Sequence, residues 1–511
     1  MVSRRSQELR ELGAWNSCKA AASRTLNPAF APLIISEAKD SSVLGEKKRE
    51  VRGGDVQDRG MSKHYTMRER KFSVRFEPSE KATVHGGQVA VAAVLEQFGL
   101  KKHVKAARAL DPRTAKGKGY DPIVYVTGIL FSLTSGGCSL KEVETLNEDE
   151  ALKSFLGIER FPDESSVGEW LRNVGEEGVD AVRRIVREFV GWALERAEPA
   201  RYQHCGQVEC FFDDTQLEVY GHSFEGAQVN YEGKLAVGWQ TLWVGPFLVD
   251  GVLGYAGDVS SQLRPLLETN RGLWEREKAY LYADSASSAG RYLEAIEEHF
   301  AHWSVSYNKW TEALEKRAGE FPESYWSAPV EVRGRHGQRE TEQYAWLRYQ
   351  PEGCSRPRCF AVARRRGPQD LFWSYGFVTT HEQDCTAQAV FERHRLKGEM
   401  ERRFSEVLND LDLHHPPCAS LSANRVYYAL AMLAYNVLQA LKLIWLPATE
   451  QSRRVRTLVH RLLLIPVHIQ RHARQLTARF YVPVHGLTWW QSFFREMLLR
   501  CDLAPPRAVT A

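Results

Sequence analysis

After Pro199 the hydrophobic period of the chain changes, and this change limits the available folds more than any other feature. Upstream, from about Gly86, apolar residues recur every three or four positions: Val91, Val94, Leu95 and Phe98, then Ile123, Val126, Ile129, Leu130 and Leu133. That is helical spacing. Downstream, residues 208–212, 235–244, 247–253 and 279–283 are short runs of β-branched and aromatic side chains between glycine-bearing turns, which predicts strands. Residues 286–300 read as a helix and 302–307 as a further strand, so three neighbouring strands lead into a β-α-β alternation. More strand candidates follow at 329–332, 344–349, 360–363 and 372–379, and helical spacing returns from 387 to 446. The expectation is an α/β fold.

This pattern divides the chain of 511 residues into segments. Residues 1–65 mix Gly, Ser, Lys, Arg and Asp without sustained period and read as a disordered or spurious extension, with Met61 as a candidate start. Residues 66–200 form an expected helical domain, in which Ser166-x-x-Glu169 reads as a capping box opening either the second helix of a helix-turn-helix pair or an ordinary helix. The expected core is interrupted: 201–324 is its first part, 325–380 a β-strand insertion and 381–446 its second part, and 447–511 is expected to be basic and helical.

The most apolar stretch, 426–446, is interrupted by Asn436, Gln439 and Lys442, and reads as a buried helix rather than a membrane span. Nine cysteines, an odd number without close spacing, point to a reducing cytoplasm. A net charge of +4 does not by itself demand a polyanionic partner, so any nucleic-acid reading rests on where the charge sits.

Three acids stand out by context. Asp213 follows the strand at 208–212, and Asp284 follows the run at 279–283 at a strand-to-helix junction. Glu401 lies beside an apolar helix face made by Met400, Phe404, Val407, Leu408 and Leu411, so a helix packed on that face carries it toward the strand ends. Three converging carboxylates suit a pair of hard divalent cations, Mg²⁺ first and Mn²⁺ as its substitute. Asp214 and Glu399 compete for the first and third positions, because a shift of one or two residues turns a side chain elsewhere. No P-loop or serine-hydrolase elbow is present, and His414, His415, Cys354 and Cys359 lack the paired spacing of a structural zinc site.

Phe212-Asp213-Asp214-Thr215, with Tyr220-Gly221, Glu225-Gly226-Ala227 and Asn230-Tyr231-x-Gly233 after it, resembles the first catalytic block of DDE-type insertion-sequence transposases. Tyr282-Ala283-Asp284-Ser285 resembles the second block, and Lys397-Gly-Glu399-Met-Glu401-Arg-Arg-Phe404, followed by Ala423-Asn424 and residues 431–438, resembles the third. The resemblance is to the thirteen-eighty family of these elements and covers roughly residues 72–494. It implies an RNase H-like catalytic core with a mainly β insertion before the Glu helix, a helical N-terminal DNA-binding domain and a helical C-terminal region. It also implies two Mg²⁺ ions held by Asp213, Asp284 and Glu401, hydrolysis at the element's terminal inverted repeats, and attack of the freed 3′-hydroxyl on target DNA by a homo-oligomer, a dimer in the synaptic complex. The wider superfamily's third block carries Tyr, Arg, Glu and Lys where this chain has His394, Lys397, Glu401 and Leu408. Lys397 keeps the charge without the bidentate fork of Arg, and Leu408 cannot contact phosphate.

DNA contact is expected to be electrostatic first. Residues 451–490 hold Arg453, Arg454, Arg456 and further arginines without one Asp or Glu. A second basic run includes Lys116 and Lys118, and Arg364 and Arg365 near Trp346 and Trp373 offer a third. Lys397 and Arg402, flanking the third acid, complete the expected phosphate contacts.

Overall fold

The computed structural model describes residues 79–500, apart from 115–118, 222, 309–310, 335–336, 352, 383, 473–474 and 484–486; the 1–65 extension, Met61, Lys116 and Lys118 lie outside the described residues. Three main helices precede the sheet: α1 (Gln88–Phe98), α2 (Pro122–Thr134) and α3 (Glu164–Leu194). Asp121 caps α2 by accepting from the Ile123 amide at 3.1 Å, with Pro122 at the first helical position, where its missing N–H costs nothing. α3 starts differently from the capping-box expectation. Its N-cap is Asp163, whose Oδ1 accepts from the Ser166 amide at 2.8 Å; a carboxylate there is favoured over a hydroxyl by the positive end of the helix dipole. Hydrogen bonds from the Ser165 hydroxyl and the Ser166 amide hold the Asp163 carboxyl down at about 2. Gly175, at φ 63°, breaks the regular helix within α3, a conformation glycine adopts without steric penalty.

Strands β1 (Gln207–Glu218), β2 (Leu235–Val244) and β3 (Phe247–Tyr255) form an antiparallel meander. After α4 (Leu263–Asn270), the unit β4 (Ala279–Ala283), α5 (Gly290–His299) and β5 (His302–Tyr307) adds two parallel strands on the other side of β1. The order is β3-β2-β1-β4-β5. β4 is buried at every residue, which explains its unbroken apolar run.

Beyond α6 (Glu312–Gly319) come β6 (Val330–Arg333), β7 (Arg339–Tyr349), β8 (Arg358–Arg366) and β9 (Ser374–Thr380), all antiparallel. β9 pairs with β5, so these strands continue the same sheet as β5-β9-β8-β7-β6. They have their own small core, in which Leu314, Trp326, Leu347, Phe360, Val362 and Phe377 pack together.

The chain then returns as α7 (Ala387–His394), α8 (Glu399–Asp410) and α9 (Leu421–Ala440). The apolar run Leu421–Trp445, of membrane-crossing length, is buried inside the fold apart from half-buried Ser422 and Arg425 near its start. Asn436, one of its polar residues, accepts from the Leu248 amide at 2.9 Å and donates to the Leu248 carbonyl at 2.7 Å, satisfying backbone groups at the start of β3.

Two segment expectations change. The region after 446 is not wholly helical: β10 (Val467–His472) and β11 (Gln475–Phe480) form a hairpin, and the two-residue strand Ala82–Thr83 pairs with β10 to complete a second sheet. Val467 and Ile469 alternate inward with a period of two, burying against Ala151. α10 (Leu487–Arg500) follows. The helices before residue 200 also share one continuous hydrophobic core with the sheet and α9, within the compact unit Phe76–Ala511. Pro199 marks a change of secondary structure and not a boundary between cores.

Candidate active site

Asp213 lies within β1 and not at its end, because β1 continues to Glu218 through antiparallel pairing with β2, where Glu218 faces Ala236. Thr241 of β2 holds it from behind: the Thr241 hydroxyl donates to the Asp213 carbonyl at 3.0 Å and accepts from the Trp243 indole N–H at 2.9 Å. β4 does end, at Ala283, and Ala283 is the parallel partner of Phe212. One residue further on, Asp213 stands on β1 and Asp284 just past the end of β4, close enough for the Asp284 charge to act on the Asp213 carboxyl. Asp284 also caps a short turn, its Oδ1 accepting from the Ser285 amide at 2.7 Å.

The pair is held in an acidic, partly desolvated setting. Burial pushes the Asp213 carboxyl up, the neighbouring Asp284 charge adds to this, and the Lys397 ammonium opposes both from 3.1 Å. Asp214 points to the opposite face by strand alternation. Burial, then the Asp213 charge, raises its carboxyl to about 6, and its Oδ2 is buried with no hydrogen-bond partner among the described residues. Lys397 bonds Asp213 alone of these acids.

His394, at the end of α7, closes over the same face. Its ring nitrogens meet the Ser304 and Ser306 hydroxyls of β5 at 2.8 and 2.7 Å, and burial, followed by the Lys397 charge, pushes its pKa down to about 4. It is a neutral, positioned imidazole. Neighbouring Arg393 stacks on the Tyr280 ring at 3.6 Å and donates to the Tyr282 hydroxyl at 3.3 Å.

α8 docks on this face as well. Phe404 meets Trp243 and Trp239 edge-on at 5.8 and 6.4 Å, and the Arg403 guanidinium lies 4.6 Å from the Phe211 ring centroid. Leu408 is buried, so the position is set by packing. Glu401, one turn before Phe404, is exposed; Glu399 is exposed too and accepts from Arg402 at 2.6 Å. Asp213, Asp284 and Lys397 come together, whereas Glu401 is not gathered with them: among the described residues no group of three or more His, Cys, Asp or Glu side chains could hold a metal ion.

The family model described as transposase DDE domain group 1 matches residues 65–500, most of the chain. The chain belongs to this family. A search of curated proteins finds no match. Membership makes this transposase an enzyme of DNA transposition and DNA its partner class, and DDE transposases generally use divalent metals. The side chains fit such ions in kind: Asp213 and Asp284 offer neighbouring hard oxygen donors, and burial together with the Asp284 charge leaves the Asp213 carboxylate short of positive charge beyond Lys397.

Most of the transposase's expected DNA-contacting cations already have partners. Arg364 requires correction as a DNA contact. It is 4 % exposed, bonded to Glu323 and Gln343, and held between Trp326 and Trp373 at 4.4 and 4.3 Å, so acids and aromatics distant in sequence have enclosed it. Arg365 pairs with Glu342 at 2.9 Å, Arg402 with Glu399, Arg453 with Glu450 at 2.5 Å and Arg454 with Asp410 at 2.9 Å. The Arg402–Glu399 pair is solvated on both sides and can exchange its carboxylate for a phosphate at small cost, whereas Arg365 and Arg454 hold buried carboxylates. Arg456 is exposed.

Sequence reading missed two clusters. The seat of His394 between Ser304 and Ser306 had a signal, the i, i+2 serines on one strand face. The buried Asp250 of β3 had none: Arg183 Nε lies 2.6 Å and Arg187 3.4 Å from its carboxylate, with the Asn270 amide at 2.8 Å, so α3 is clamped to the sheet.

Proposed function

We propose that this transposase moves DNA by cut and paste: strand cleavage at terminal inverted repeats, followed by attack of the freed 3′-hydroxyl on target DNA, within a homo-oligomer that holds two element ends. The observation that carries this reading is the neighbouring placement of Asp213 on β1 and Asp284 just past the end of the parallel strand β4, in a β3-β2-β1-β4-β5 sheet with α8 packed on the Asp213 face. That strand order and the helix position support an RNase H-like core. Asp213 and Asp284 would hold the ions, with Glu401 supplied by α8. Two bound Mg²⁺ ions, or Mn²⁺ in their place, supply activation of the attacking oxygen and stabilisation of the leaving oxygen.

The chain's own residues bind and orient. Thr241 and Trp243 fix the backbone of Asp213, the Ser285 amide fixes the Asp284 carboxylate, and Lys397 neutralises Asp213 until another cation takes over. Phe404 against the two tryptophans fixes the helix that carries Glu401.

The exposure of Glu401 favours a second reading, a catalytically decayed DNA-binding protein on a transposase scaffold. The two readings part in one assay: Mg²⁺-dependent cutting of a DNA fragment carrying the gene's own flanks, comparing wild type with Asp284→Asn. Cuts at defined ends that fall in the variant by more than the roughly 10–100-fold typical of losing an outer-sphere partner support the transposase. Specific binding with no cuts by the wild type supports the decayed scaffold.

A further inference from the structure

A cavity of about 330 Å³ opens between the start of β1, the turn into β3, α8 and the end of α9, and the proposed chemistry does not use it. Four fixed cations line it, Arg201, Arg402, Arg403 and Lys442, against two carboxylates, Glu209 and Glu406. Arg402 and Arg201 have outer partners in Glu399 and Glu198, but around Glu406 the charges do not close. Glu406, 3 % exposed, is 3.6 Å from Arg402, 4.0 Å from Lys442 and 3.4 Å from the Gln439 amide, all longer than well-made charge-assisted hydrogen bonds. Lys442 is 4 % exposed and has Glu406 as its one ion-pair partner among the described residues. Gln451 Nε2, a further donor in the lining, is buried without a partner. A buried lysine with so loose a partner and an orphaned amide are costly features to keep unless a ligand satisfies them.

The cavity also lies on the right face. Glu209, Phe211 and Asp213 alternate onto one side of β1, and Arg403 bridges from the Phe211 ring to the Gly245 carbonyl at the cavity's edge. From Glu209 to Asp213 is four residues of strand, about 13 Å, or about four base steps along a duplex.

We propose that this cavity binds a phosphate group of the DNA strand, set back along β1 from the Asp213–Asp284 pair. The ligand chemistry is a tetrahedral oxyanion received by Lys442, Arg402 and the Gln451 amide. This rests on the transposase reading for the DNA's identity but not on its cleavage, so binding is measured in EDTA, where no cutting occurs.

The experiment is the salt dependence of binding of a fluorescent DNA fragment carrying the gene's flanks, for wild type, Lys442→Met and Gln451→Glu, with thermal melts of each. The expected result is a log–log salt slope smaller by about one in Lys442→Met, with sequence preference unchanged. Gln451→Glu, at a less buried position, weakens binding about tenfold by facing the oxyanion with a carboxylate; it decides the matter if Lys442→Met does not fold. Inorganic phosphate at millimolar concentration competes with DNA for wild type and less for Gln451→Glu. Unchanged slope and affinity in a folded Lys442→Met or in Gln451→Glu overturns the proposal while leaving the transposase reading intact. Binding of inorganic phosphate to the cavity with no effect on DNA overturns the DNA assignment and leaves a free-phosphate site. Loss of cleavage competence alone would count against the transposase reading and not against the cavity.

Discussion

Between Ser304 and Ser306, the His394 imidazole has both nitrogens occupied and is pushed down to about 4. An unfolded histidine titrates near 6.5. Between these values the unfolded chain binds a proton that the folded chain refuses, so this group's contribution is fully present above about pH 6.5 and is lost as pH falls toward 4, up to about 3 kcal/mol. Asp214 acts in the opposite sense, because its raised carboxyl takes up a proton in the folded state first and loses that advantage as pH rises through about 6. The difference between two proteins isolates the histidine. The melting-temperature gap between wild type and His394→Gln should be widest above pH 6.5 and narrow toward pH 4.5; a gap that does not vary with pH would show that His394 is not held neutral. The same residue shows what spacing can and cannot carry: position 394 was legible as a departure from the superfamily's Tyr, but its serine partners are about ninety positions away and only the fold joins them.

Asp250 joins α3 to β3 with two arginines and an asparagine amide, at a position with no exposed surface. Asp250→Ala leaves Arg183 and Arg187 without their buried partner, at a cost of about 3–5 kcal/mol, read as a fall in melting temperature. Asp250→Asn, which keeps the shape and some hydrogen bonds, should cost less; equal losses would assign the whole effect to the lost charge and none to packing. Elements such as this clamp explain which parts of the fold were readable. The runs at 235–244 and 279–283 became strands almost residue for residue, because strands covered on both faces need unbroken apolar sequence. β10 and β11 were missed because their arginines and histidines alternate with few apolar residues, and a basic run resembles a solvated helix as readily as an edge hairpin. The start of α3 was misplaced by three residues because Ser166 and Asp163 both satisfy a cap pattern, and only the backbone geometry chooses. From sequence Arg364 is expected as a DNA contact because its partners Glu323 and Gln343 lie 41 and 21 positions away.

At the scale of the molecule, α1, α2 and α3 share one core with β1–β5 and α9, so the expected separation of a helical region at residue 200 has no interior counterpart. Elements that share one core lose packing together when any of them leaves it. Calorimetry should therefore show no early transition assignable to residues 88–200; a separate melt of that region would contradict the shared core. The shared core also fixes the sheet beneath the proposed chemistry: Asp213 and Asp284 are held by β1 and the end of β4, and Glu401 by a helix that packs on their face. Two of the three acids are already neighbours, and the account's central claim is that the third joins them around bound ions. The most direct measurement replaces Mg²⁺ with Fe²⁺ on the DNA-bound protein, generates hydroxyl radicals with ascorbate and peroxide, and maps where the polypeptide is cut. Cuts clustered beside Asp213, Asp284 and Glu401, and lost together in Asp284→Asn, are the predicted result. Cuts beside Asp213 and Asp284 with none near Glu401, or cuts that survive Asp284→Asn, would contradict it.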